Sequence, residues 1–365
     1  MNFIERRGIE LFRKAGITIN GPELWDIKIH DNRFFSRLLF NGSIALGESY
    51  VDGWWDCGAI DQFIYRLLKA DLVDVETGAL KGLGIPFVDK LRLFGPLFTN
   101  PQTRTRGAAD IRFHYNLGND VFQATLDKKL SYSCGYWKDS KNLDDAQTAK
   151  HNLICKKLNL KPGMKVLEVG CGFGGFARQA VEDYGVSVVG ITTSKNHYEY
   201  AKSYCEGTNV EILLQDYRDI QGMYDRIVCI EMMEHVGPKN HRNFIEKLSS
   251  SLSPDGLFLL QSISISQSVL KNDPWIDKYV FPGSVPLSAK QIADATEGLF
   301  YILDWHDFTK DYHKTMMAWF ENFDRNWPLI KAAYSERFYR LWKYYLLCCP
   351  ATALASTHHL WQVVF

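Results

Sequence analysis

The run Val166–Gly175, VLEVGCGFGG, constrains this chain more than any other part of it. An apolar strand ends in a carboxylate, Glu168, and Gly170, Gly172, Gly174 and Gly175 follow before a helix opens. Glycines let the backbone turn sharply off a strand and let a ligand lie against bare peptide groups. The start of the next helix points free N–H groups at that ligand. Four glycines packed so tightly between a strand and a helix argue for a nucleoside-like ligand rather than a plain turn.

Two ligands compete for such a loop. Gly170, Gly172 and Gly175 satisfy the G-x-G-x-x-G pattern of dinucleotide sites, which by itself is a weak signal. A dinucleotide also wants an acid at the end of the second strand for its ribose. That strand, Val186–Thr193, ends in Thr192, Thr193 and Ser194, so the acid is missing. S-adenosylmethionine has no pyrophosphate, and its methionine end carries an ammonium and a sulfonium. A carboxylate leading into the loop suits those charges, and Glu168 stands there. S-adenosylmethionine is therefore the expected cofactor.

Bulk properties exclude several other readings. The chain has 365 residues, enough for one large or two modest domains, and its 42 basic and 42 acidic residues leave no global field to attract nucleic acid. Aromatics are abundant, with 22 Phe, 18 Tyr and 10 Trp, which suits either a large core or an apolar substrate cavity. The eight cysteines form no C-x-x-C pair, and no metal site is expected. Glu5, Arg6 and Arg7 are not those of a secretory leader, so reduced thiols and a cytoplasmic location are expected. The uncharged run Tyr344–Thr357 contains Pro350 and is too short to span a bilayer, so any membrane would be met from one side.

Apolar spacing predicts amphipathic helices over Phe3–Ala15, Phe34–Phe40 and Ile60–Leu72, then a looser connection over Gly78–Gly95. The polar stretch Thr99–Ala109 carries Arg104 and Arg106 and reads as a linker. The expected organisation is a helical domain over 1–100, a linker over 101–112 and a catalytic domain over 113–365. In the last, strands near Lys165–Val169, Val186–Thr193, Val210–Leu214, Arg226–Ile230 and Leu257–Ser262 alternate with helices, and Trp361–Phe365 reads as a final strand. Alternation with short apolar strands predicts an α/β fold, a mostly parallel sheet with helices on both faces, whose ligands sit beyond the carboxyl ends of the strands. The three prolines of Asn272–Pro286 mark a lid or substrate wall, placed within an insertion near 264–300.

More specific blocks then point to one family. HYNLGNDVF (114–122), YSCGYWKD (132–139), LLQDYRD (213–219), MEHVGPKN (233–240), DPWIDKYVFP (273–282) and MMAWFENF (316–323) together resemble cyclopropane fatty acid synthases. GITINGP (16–22) and GESYVDGWWD (47–56) resemble the extra N-terminal domain of the phospholipid-acting members. The resemblance implies a class I methyltransferase, Rossmann-like, with a seven-stranded sheet. It also implies the reaction: a methylene derived from the methyl of S-adenosylmethionine is added across a cis double bond of an acyl chain in a phospholipid, by way of a carbocation and loss of a proton to a bound bicarbonate.

The same resemblance assigns residues. Cofactor contacts would come from Tyr132 and Ser133, from Leu167, Glu168, Val169, Gly170, Cys171, Gly172, Phe173, Gly174 and Gly175, from Thr192, Thr193, Ser194, Lys195, Asn196 and His197, and from Asp216 and Tyr217. The bicarbonate cradle would be Cys134 and Ile263 through backbone groups, with Glu234, Gln261 and Tyr312. Gln261 departs from the family, which usually has histidine there; an amide donates to an anion but relays no proton. Cys349 corresponds to a cysteine often named as the active residue, although the chemistry needs no thiolate. The catalytic set is then Glu234, Tyr312, Cys134 and Cys349, and His235 is expected to point elsewhere.

An isolated alkene is a weak nucleophile, so the site must be dry, bring the reactants into contact, and tolerate a cation. Aromatic faces attract cations by about 0.5–2 kcal/mol each without attacking them. Tyr132, Tyr136, Trp137, Trp275, Tyr279, Tyr312 and Trp319 are the candidate lining. Arg104, Arg106 and Arg112, joined by Lys128, Lys129 and Lys278, would form a basic face for reversible contact with the inner surface of the membrane. Trp54–Trp55 reads as a domain contact, and a homodimer is expected because two interfacial surfaces raise effective concentration. The rival reading is methyl transfer on the same scaffold without ring closure.

Overall fold

A computed structural model describes residues 3–73 and 118–365, with side chains omitted at positions 39 and 40. The connection over 78–95, the linker, Arg104, Arg106, Arg112 and the first part of the 114–122 block lie outside the described residues.

Helices α1 (Phe3–Lys14), α2 (Arg33–Val51) and α3 (Ile60–Lys69) open the chain, with a small antiparallel pair, β1 (Ile27–Ile29) and β2 (Trp55–Cys57), between them. The second helix runs eleven residues beyond its expected end, Phe40 against Val51, because two helical pieces continue across a non-helical Gly42 (φ 48°, ψ −126°). After α4 (Asn119–Thr125) and α5 (Leu143–Lys157) the alternation begins. It runs through β3 (Lys165–Val169), α6 (Gly175–Tyr184), β4 (Ser187–Thr192), α7 (Lys195–Tyr204), β5 (Val210–Leu214), β6 (Tyr224–Ile230), α8 (His241–Ser250) and β7 (Leu252–Ile265). Then come α9 (Pro274–Tyr279), β8 (Leu287–Ser288), α10 (Ala289–Thr296), β9 (Asp304–Asp307), α11 (Thr309–Ile330), α12 (Glu336–Leu354) and β10 (His358–Val364).

The expected mostly parallel sheet is present, with eight strands among the described residues rather than seven because the short β8 adds to it. Its path is β5-β4-β3-β6-β7-β10-β9, and the two-residue β8 pairs with the end of β7. Strands β5 to β7 run parallel along this path and β10 runs antiparallel to both its neighbours. The central strand β3 is buried from Val166 to Val169, as a strand covered on both faces must be. Register places Ile230 opposite Gln261 and Gln261 opposite Gln362. The turn after β6 thus lies beside the middle of β7.

The helical N-terminal part shares one continuous apolar core with α4, α9, α11 and α12. Aromatic contacts join them: Tyr50 lies 5.6 Å and Trp275 4.7 Å from the Tyr344 ring. Trp55 is fully buried, donates Nε1–H to the Leu46 carbonyl at 3.0 Å and meets Tyr344 at 6.4 Å, so it is a contact between the helical part and α12. Trp54 instead lies under Arg33 and Arg37. Arg340 on α12 fastens the same junction, donating to the carbonyls of Tyr50 (2.7 Å) and Trp55 (3.0 Å) and to Asp56 (2.8 Å). Replacing Arg340 by Met removes these donors while keeping the stem, and is expected to cost about 1–3 kcal/mol. Urea unfolding checks this, with proteolysis of the first 73 residues rising in step.

Candidate active site

The first cavity is a crevice beyond the carboxyl ends of β3, β4 and β5, with a volume of ≈ 1250 Å³. The loop after β3 forms its floor. Gly172 takes a left-handed backbone (φ 51°), and a Cβ there would meet nothing within 4 Å. A Cβ on Gly175 would stand 2.7 Å from the Lys129 carbonyl oxygen, so only glycine lets this helix start approach the preceding loop. Glu168 faces the crevice, is 3% exposed, and its Oε2 has no bonding partner among the described residues. Burial pushes its carboxyl up to about 8, against the pull of the Lys150 charge. Lys150 also lines the crevice, is 1% exposed, and donates to Ser133 Oγ at 2.7 Å.

The second cavity, ≈ 1390 Å³, is largely apolar. Leu38, Leu46, Ile64 and Leu67 of the N-terminal helices form one side, and Trp275, Ile276 and Phe281 of the substrate wall and Tyr344 and Cys349 of α12 form others. Tyr132, Glu231 and His235 border both cavities. A ligand in one thus lies directly across these three side chains from a ligand in the other.

Two carboxylates stand at this partition. Glu231 Oε1 accepts the Cys134 N–H at 2.9 Å and the Gln261 amide at 2.6 Å. Its backbone is left-handed (φ 49°), a conformation that costs a non-glycine residue about 1–3 kcal/mol. Glu234 Oε1 accepts the Ile263 N–H at 2.6 Å and the Ser262 hydroxyl at 3.0 Å. Its Oε2 is buried without a partner among the described residues. Burial first, and then the neighbouring Glu231 charge, push Glu234 up to about 8. Burial also raises Glu231, while its two hydrogen bonds and the Lys150 charge lower it. The Lys150 charge thus favours the ionised form of Glu231, and the Glu231 charge in turn favours the neutral form of Glu234.

The family model for mycolic acid cyclopropane synthetase matches residues 102–363. A cyclopropane-fatty-acyl-phospholipid synthase of Escherichia coli is 47% identical over 356 residues, 98% of this chain and 91% of that one. The chain belongs to the mycolic acid cyclopropane synthetase family. Solved structures of the family superpose on it: the cyclopropane synthase MmaA2 from Mycobacterium tuberculosis (TM-score 0.66, 29% identity, 70% of this chain and 97% of that one) and the mycolic acid cyclopropane synthase CmaA1 complexed with SAH and CTAB (TM-score 0.66, 28% identity, 70% and 97%).

Within this family frame, most cofactor residues expected from the sequence converge. Tyr132, Ser133, Glu168, Val169, Gly170, Cys171, Gly172, Phe173, Gly175, Thr192, Thr193, Ser194, His197, Asp216 and Tyr217 all line the crevice. Leu167, Gly174, Lys195 and Asn196 do not. Leu167 is buried in the core of the sheet, and the Lys195 side chain is 80% exposed and pairs with Glu199. Ser194 Oγ caps α7 by accepting the His197 N–H at 3.3 Å, and Arg218 clasps the Asp216 carboxylate at 3.0 and 3.1 Å.

The expected anion cradle is arranged differently. The Cys134 N–H and the Gln261 amide are engaged by Glu231, and the Ile263 N–H by Glu234. Gln261 is fully buried and does not reach either cavity, because its Oε1 accepts from Gln362 at 2.9 Å while its Nε2 donates to Glu231. The Cys134 thiol faces Thr315 and Gly135, and burial raises it, so it is no thiolate. Tyr312 and Cys349 do line the apolar cavity.

Other expectations shift too. His235, expected to turn away, borders both cavities with its ring 5.8 Å from Phe281. Of the aromatic set, Tyr132, Trp275 and Tyr312 line the apolar cavity. Tyr136 packs on Phe308, Trp137 donates to Thr315, Tyr279 donates to Glu48, and Trp319 packs on Tyr132 outside the lining. Lys129 turns inward to Gln179, and Lys278 and Lys128 pair with Glu48 and Asp144. Glu231 and Lys150 were missed. Glu231 sits beside the Glu234 motif with no spacing signal of its own, and Lys150 looks like any lysine of a polar helix.

Glu168 makes a pH-dependent prediction. Below about 8 the free carboxyl holds a proton, and a ligand ammonium favours the ionised form. Binding of S-adenosylhomocysteine, which carries that ammonium, should release protons at pH 7 and tighten from pH 6 to 8. Glu168→Gln should bind about 10- to 100-fold more weakly and lose this slope, as calorimetry in buffers of different ionisation enthalpy would report.

Proposed function

We propose that this enzyme converts a cis double bond in an acyl chain of a membrane phospholipid to a cyclopropane ring, with S-adenosylmethionine as the methylene source. One observation carries the reading: the glycine-floored crevice and the apolar cavity share Tyr132, Glu231 and His235 as a common wall. An olefin lying in the cavity meets a donor lying in the crevice only across that wall.

The residues of the crevice fit the cofactor. The orphaned Glu168 oxygen suits an ammonium, Gly172 leaves open space, and Thr192, Thr193 and Asp216 offer short polar groups. When bound, S-adenosylmethionine supplies an electrophilic methyl. The chain does the rest. Apolar walls from α2, α3 and α12 exclude water from the reacting carbons, and Tyr132 and Tyr312 present ring faces that tolerate a cation. Burial keeps the Tyr312 hydroxyl protonated, so it does not trap that cation as a phenolate. A free bicarbonate does not fit the donors expected for it, since Glu231 and Glu234 already bond three of them.

Among the described residues no helix is long and apolar enough to cross a membrane. We extend the proposal to a cytoplasmic homodimer in reversible contact with the inner face of the membrane. What supports the contact is the apolar cavity walled by the N-terminal helices, which suits a hydrocarbon chain delivered from a bilayer.

The test is mass spectrometry of dioleoylphosphatidylglycerol vesicles incubated with the protein and S-adenosylmethionine. The product should gain one methylene per reacted chain and lose its alkene signal. A methylated chain that keeps its alkene, or no transfer at all, would overturn the reading. Glu234→Gln should keep cofactor affinity and lose about 100-fold or more of turnover. Cys349→Ser should keep measurable activity, because Cys349 only walls the cavity.

A further inference from the structure

We propose that Glu231 is the base that closes the ring, a carboxylate built into the chain where the family resemblance places a bound bicarbonate. The inference rests on the ring-forming reading above.

Geometry carries it. The resemblance assigns the Cys134 backbone and the side chain at 261 to hold an external anion. Here both donate to a single carboxylate oxygen, Glu231 Oε1, at 2.9 and 2.6 Å. The donors are the same, and the anion they hold is covalent. The second oxygen, Oε2, has no hydrogen bond among the described residues and belongs to a side chain that borders both cavities. The side chain therefore stands in the wall that a methyl passing from one cavity to the other must cross.

Three further features fit this role. Glu231 holds a left-handed backbone at the end of β6, where glycine would carry no strain, so the carboxylate is kept against a conformational cost. Gln261 stands where histidine would compete as a proton carrier, and Gln362 orients its amide so that Nε2 donates to Glu231 at 2.6 Å and more weakly to the Cys134 carbonyl at 3.4 Å. Two hydrogen bonds and the Lys150 charge favour the ionised form of Glu231, while burial and the Glu231 charge favour the neutral form of Glu234, three residues on. An ionised carboxylate beside a neutral one is a competent base and repels a second anion.

The step balances. The alkene π pair forms a bond to the methyl carbon, and the pair of the breaking carbon–sulfur bond stays on sulfur. A C–H pair of the transferred methyl then closes onto the cationic carbon as the third ring bond. The proton from that C–H bond passes to Glu231 Oε2. It returns to solvent through the crevice, which Glu231 also lines, once S-adenosylhomocysteine has left.

The experiment compares ring formation in dioleoylphosphatidylglycerol vesicles in carbon-dioxide-free buffer and with added bicarbonate, for the full chain and its variants. The unaltered enzyme should form ring product at rates within about twofold in the two buffers. Glu231→Gln should bind S-adenosylhomocysteine normally, lose ring product by about 100-fold or more, and divert lipid to methyl-branched products. The double variant Glu231→Gly, Gln261→His should regain ring formation only with bicarbonate. Bicarbonate should raise its melting temperature and leave that of the unaltered enzyme unchanged. Ring formation by the unaltered enzyme that falls about 10-fold without bicarbonate and returns with it, or full ring formation by Glu231→Gln, would overturn the inference alone. No ring product under either condition would overturn the ring-forming reading as well.

Discussion

The structure turns on two backbone N–H groups, those of Cys134 and Ile263, each held by a buried carboxylate from one short turn. Glu231 reaches back to the 132–139 segment and Glu234 reaches sideways to β7. The turn after β6 is thereby tied to the roof of the cofactor crevice and to the floor of the apolar cavity at once. Buried hydrogen bonds of this kind fix direction as well as distance. The Glu231 charge favours the neutral form of Glu234, and the Lys150 charge favours the ionised form of Glu231. The partition between the cavities is therefore an electrostatic unit.

The fold was legible because its signals are local and repeated. The strand β3 and its glycine loop announce themselves in ten residues, and alternating apolar runs gave the parallel strands to within a few positions. Boundaries slipped where side-chain pattern does not decide them. The strand β7 extends five residues before the expected Leu257 because Leu252 pairs with Tyr224 across a register shift. Helix α2 continues to Val51 through Gly42, a residue that reads as a stop.

The site was legible in its members and less so in their connections. Position 261 stood out only because the family resemblance puts histidine there. The reason for it, a bond to Glu231, needs the register that sets Ile230, Gln261 and Gln362 side by side across three strands. The aromatic set shows the same limit. Trp275 and Tyr312 face the cavity while Trp137 and Trp319 support it from behind, and composition cannot tell a wall from its buttress.

Gly47 carries a consequence beyond its own size. A Cβ at this position of α2 would lie 2.2 Å from the Trp275 indole nitrogen, so helix and indole touch with no room between them. The N-terminal segment is thus shaped around a side chain more than two hundred positions away in the sequence, and that indole is one face of the hydrocarbon chamber. A graft of this segment onto another methyltransferase would bring half a mould without its counterpart. Chamber width and segment ancestry are inherited together, through one hydrogen atom.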